Sequence, residues 1–112
     1  MVTADDVRAI CAPLPRTTEH LIHDRVKFRV GSIVYVALSR DETSMGFAFP
    51  KDEREALVDS RPDVFQMPRE SDLRYHWVVA RLAALDRDEL EELIQDAWRM
   101  VVPKFLAREH LG

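Results

Sequence analysis

The stretch Val26 to Phe49 constrains the fold most. Val26-Lys27-Phe28-Arg29-Val30 alternates apolar and basic residues without a fault, the period of a half-buried strand. Two further runs follow, Ile33 to Leu38 and Met45 to Phe49, and the polar stretches Gly31-Ser32 and Ser39 to Ser44 supply the turns. Three consecutive strands joined by short turns predict an antiparallel sheet.

Around this sheet the remaining elements read in order. Thr3 is the expected N-cap of a first helix with Asp6 at the capping-box position, and Val7, Ile10, Cys11 and Leu14 form its inner stripe until Pro13 and Pro15 stop it. Cys11 on that stripe is a packed thiol rather than a nucleophile. Arg16 to Asp24 reads as a connector carrying Glu19, His20 and His23; two histidines three apart would suit a metal only with further ligands, which nothing nearby provides. Pro50 opens a second helix over 51–60, with Ala56, Leu57 and Ser60 facing inward. A long loop follows, with a short edge strand at Phe65 and Met67 that Pro68 ends. Tyr75 to Leu82 is rich in aromatic and β-branched residues and predicts a strand. Asp86 caps the last helix, Glu89 completes its capping box, and Leu90, Leu93, Ile94, Ala97, Trp98, Val101 and Phe105 mark one buried face. Pro103 breaks that helix.

The expected architecture is therefore α+β: a two-layer α/β sandwich, order α-β-β-β-α-β-β-α, with helices on one face of an antiparallel sheet and the other face open. At 112 residues the chain is expected to form one domain over 1–112. No apolar run is long enough to span a bilayer, and the N-terminus lacks a signal peptide's basic and apolar regions, so the expected location is cytoplasmic. A single cysteine excludes an internal disulfide, and no cofactor is indicated.

If Val26, Phe28 and Val30 point to the core, Arg25, Lys27 and Arg29 share the opposite face. In the Tyr75–Leu82 strand, His76, Val78, Ala80 and Leu82 suit the core, with His76 a buried, hydrogen-bonded imidazole. Trp77 and Arg81 then join the open face beside Ile33 and Tyr35. No acid occurs between Arg25 and Ser39 or between Leu73 and Leu85, whereas the helices are acidic, so a chain of net charge −4 is electrically two-sided. Cations beside exposed rings suit nucleic acid, with Arg25, Lys27, Arg29, Tyr35, Trp77 and Arg81 as the candidate site. Cations on an open sheet also serve solubility and discourage edge pairing. A protein partner on the same face or an edge strand is the alternative. No catalytic triad, no glycine-rich phosphate loop and only three glycines point away from an enzyme.

Leu14-Pro15 followed by Glu19, then Phe28-Arg29-Val30-Gly31, His76-Trp77, Glu91-Glu92-Leu93-Ile94, Ala97-Trp98-Arg99 and Val102-Pro103-Lys104 together resemble the MmcQ/YjbR family, from about Val7 to Ala107. The chain departs from the usual pattern at Ser32, where a second glycine is common. The resemblance implies the two-layer α/β fold and DNA binding, a role attached to many members through their likeness to double-wing DNA-binding structures.

Overall fold

The computed structural model describes residues 1–111. Its strands are β1 Thr17–Ile22, β2 Arg25–Val30, β3 Ile33–Leu38, β4 Ser44–Ala48, β5 Phe65–Gln66 and β6 Trp77–Arg81. Its helices are α1 Ala4–Cys11, α2 Lys51–Ser60, α3 Arg87–Arg99 and α4 Lys104–Leu111. The strands form one antiparallel sheet in the order β1-β2-β3-β4-β6-β5. α3 lies on β3 and β4, α2 on β5 and β6, and α1 packs on α3, which gives the expected α+β arrangement with an open sheet face.

One strand is gained over the sequence reading. Arg16 to Asp24 is no connector: it contains β1, which pairs with β2 from Thr17↔Val30 to Ile22↔Arg25. The two-residue turn His23-Asp24 closes this hairpin with both residues at positive φ, 52° and 64°, the twist that a tight hairpin favours. It separates His20, in the strand, from His23, in the turn. Among the described residues no group of three or more His, Cys, Asp or Glu side chains could hold a metal.

The helix caps follow the sequence in part. Thr3 N–H donates to Asp6 Oδ2 at 2.8 Å, and this bond, aided by Arg87, holds the Asp6 carboxyl below its ordinary range. Asp86 accepts from the Glu89 N–H at 2.8 Å as expected. The Glu89 side chain, however, pairs with Arg61 instead of completing the capping box. That bond anchors the end of α2 to the start of α3.

The core is sealed by Trp98, whose indole Nε1 donates to the Pro15 carbonyl at 2.9 Å. Phe105, expected on the same buried face, is 52% exposed, because the break before α4 rotates the helical phase. On α2, Ala56 and Ser60 are exposed and Leu57 and Val58 pack inward, while Arg54 is the residue fully drawn in.

Cys11 is buried and unpaired, and burial pushes its thiol up to about 12. Ionisation is therefore favoured in the unfolded chain, whose thiols titrate near about 8.5. This contribution to stability is present below that value and is lost as pH rises towards 12. At about pH 8 the folded protein should resist an aromatic disulfide reagent and react at one thiol only in denaturant. Rapid labelling of the native chain would contradict the buried placement.

Candidate functional site

Strand register assembles the open face. Val26 and Phe28 lie in the core, so Arg25, Lys27 and Arg29 project together from the other side of β2. One row of cross-strand neighbours then runs His20, Lys27, Ala37, Gly46, Val79, Gln66 across all six strands. Its centre is built from small residues. Trp77, paired with Ala48, lies over this low floor.

Gly46 makes that possible. A Cβ at this position would stand 2.6 Å from the Trp77 indole Nε1 and 2.8 Å from Cε2 and Cζ2, so the ring occupies the space a side chain would take. A glycine in mid-strand commonly marks such a close approach. Beside this ring lies a hollow of about 530 Å³ whose lining includes Arg25, Lys27, Val34, Ala37 and Trp77.

The 67–76 segment forms the far wall. Arg69 and Asp72 face the hollow and pair with each other at 3.1 Å. Among the described residues that line it, Asp72 is the one acid. The wall is held from behind by Arg54, only 7% exposed, which donates to the carbonyls of Leu73, Tyr75 (2.8 Å) and Trp77 (3.2 Å). Three carbonyls thus share a single charged donor, and Trp77 is fixed through its own backbone.

The sequence-derived residues do not all gather here. Arg25, Lys27 and Trp77 line one hollow, with the Arg25 Nε spent on the Leu38 carbonyl at 3.1 Å. Arg29 shares the face but not the lining, and its Nε is buried without a partner. Arg81 is exposed at the opposite end of β6 and donates to the Asp63 carbonyl at 3.3 Å. Tyr35 is not on the open face at all. Phe28 faces Val36 and Arg29 faces Val34, so Tyr35 is an extra residue in β3. The bulge turns it into the core at 0% exposure, where its hydroxyl meets Thr17 Oγ1 at 2.7 Å. Burial there raises the Tyr35 pKa.

His76 is likewise corrected. It is exposed, outside the strand, and its Nδ1 accepts the Lys51 N–H at 3.0 Å, capping α2. Arg54, Arg69, Asp72 and Gly46 escaped the sequence reading. Of these only Gly46 left a signal, a glycine inside a strand pattern.

This architecture of an open antiparallel sheet backed on one side by helices has solved and sequenced counterparts. The YjbR family model matches residues 12–100, and the chain belongs to the YjbR family. It is 32% identical over 130 aligned residues to the uncharacterized proteins Rv2570 of Mycobacterium tuberculosis and Mb2600 of Mycobacterium bovis, covering 100% of this chain and 98% of each relative. The crystal structure of Deinococcus radiodurans protein DR2400, which carries a DUF419 domain, is similar with a TM-score of 0.80 at 22% identity, covering 97% of this chain and 88% of that one; the likeness is one of fold. No helix among the described residues is long and apolar enough to cross a membrane.

Proposed function

We propose that the chain is a non-catalytic, cytoplasmic binding domain whose open sheet face takes DNA in single-stranded form. The observation that carries this reading is the shared hollow, in which Arg25 and Lys27 stand across a floor of small residues from the Trp77 indole. Cations for phosphates beside a ring for a base are the two parts a single-strand site needs. The one acid in the lining is already engaged by Arg69. A duplex is disfavoured because the 67–76 wall stands beside the indole and, among the described residues, no recognition helix faces the hollow.

Fluorescence anisotropy with short single-stranded and duplex oligonucleotides at about 50 mM salt tests this, since electrostatic contacts are little screened there. Binding should be modest and largely independent of sequence. About three phosphate contacts to a single strand give a slope of log K against log salt near −2. Lys27→Glu should reduce that slope by about 1 with the melting temperature unchanged. Lys27 is a cleaner probe than Arg29, whose Nε is buried. Trp77→Ala should weaken single-strand binding by about 1–3 kcal/mol per stacked base. No anisotropy change at high micromolar protein would end the nucleic-acid reading.

A protein partner is the second reading, and one observation favours it. The same hollow is also lined by Ile33, Tyr75 and Met100, three exposed apolar side chains suited to a protein contact.

A further inference from the structure

The hollow against Trp77 does not stand alone. Two neighbouring depressions adjoin it, one lined by Ser39, Arg40 and Asp41 and the other by Gly46, Gln66 and Pro68. Arg25 and Arg69 line all three. They reach this place from opposite ends of the fold, Arg25 from β2 and Arg69 from the segment after β5. Arg25 is immobilised through its Nε bond to the Leu38 carbonyl, which leaves the two terminal nitrogens of its guanidinium for a ligand. Arg69 is held only by Asp72, and its side chain remains 71% exposed. An exposed pair of this kind is weak and exchanges readily for a better anion. A phosphate is such an anion, because the planar guanidinium matches it in two-pronged geometry.

We propose that Arg25 and Arg69 form a phosphate clamp, so that the hollow takes one nucleotide unit with its phosphate between the two arginines and its base against Trp77. This rests on the reading of the open face as a nucleotide-binding surface, and adds Arg69 and the 67–72 segment to it. Asp72 occupies Arg69 in this structure and would give way to the phosphate. The phosphate could belong to a DNA strand or to a free mononucleotide; the chemistry of the clamp is the same.

Isothermal titration with AMP, adenosine and a short oligo(dT) separates these cases. AMP should bind at least about tenfold more tightly than adenosine, the scale of a charge-assisted hydrogen bond gained. Arg69→Ala should remove that advantage, and Asp72→Asn should tighten AMP binding by freeing Arg69. Both side chains are partly or largely solvent-exposed, so neither change endangers the fold. AMP binding no tighter than adenosine, indifference to Arg69→Ala, or weaker binding in Asp72→Asn would each overturn the clamp. Oligo(dT) binding that depends on Lys27 but not on Arg69 would overturn the clamp and leave the strand reading standing. AMP binding without oligo(dT) binding would uphold the clamp for a free nucleotide and end the strand reading. Binding of neither ends both.

Discussion

Trp98→Ala should lower the unfolding free energy by about 3–5 kcal/mol, the range for removing a large buried aromatic side chain. Trp98 is fully buried on α3, beside Leu90, Ile94 and Ala97 on the same helix face. Its loss leaves a cavity and strands the Pro15 carbonyl, which the indole N–H satisfies at 2.9 Å. The imidazole of His110, 5.5 Å away and edge-on, loses its partner as well, loosening α4. Against a typical total of about 5–15 kcal/mol, this is a large fraction. Urea denaturation reads it directly, with Glu91→Ala as a control expected within about 0.5 kcal/mol. An alanine variant as stable as the parent would mean that α3 buries a different face.

Arg54→Met should lower stability and should also reach the site. Methionine fills much of the volume but donates nothing, leaving the carbonyls of Leu73, Tyr75 and Trp77 without their shared donor. A hydrogen bond from a charged group contributes about 1.5–3 kcal/mol; three are lost here, but water can reach the freed carbonyls of the exposed Leu73 and Tyr75, so a net loss of about that range is expected. Hydrogen exchange should speed up across 73–77, and oligonucleotide binding should weaken although Arg54 itself does not line the hollow. Unchanged stability and exchange would show that the 67–76 wall holds itself.

These two residues also mark how far the chain could be read without its structure. Trp98 was legible because α3 repeats its apolar residues at one helical period and begins at a true cap, Asp86. The strands β2, β3 and β4 were legible for the same local reason, and so was the shared face of Arg25, Lys27 and Arg29. Arg54 looked like one more charge on a solvated helix; its role depends on carbonyls some 20 positions away, for which no periodicity exists. Tyr35 was misplaced by a single extra residue, since one bulge reverses the face of what lies beyond it. β1 was hidden because an edge strand need not alternate and its turn uses His23-Asp24 where a glycine would have announced it.

The contact between Gly46 and Trp77 also bears on how such a face can change over generations. The two positions constrain each other, because the indole fills the space where a Cβ at 46 would stand. A lineage that trades the ring for a smaller residue can afterwards accept alanine or valine at 46 and rebuild the floor. The reverse order passes through an intermediate whose two side chains collide. Replacement of the platform is therefore easier in that order, and relatives carrying a side chain at the position of Gly46 are expected to lack the tryptophan.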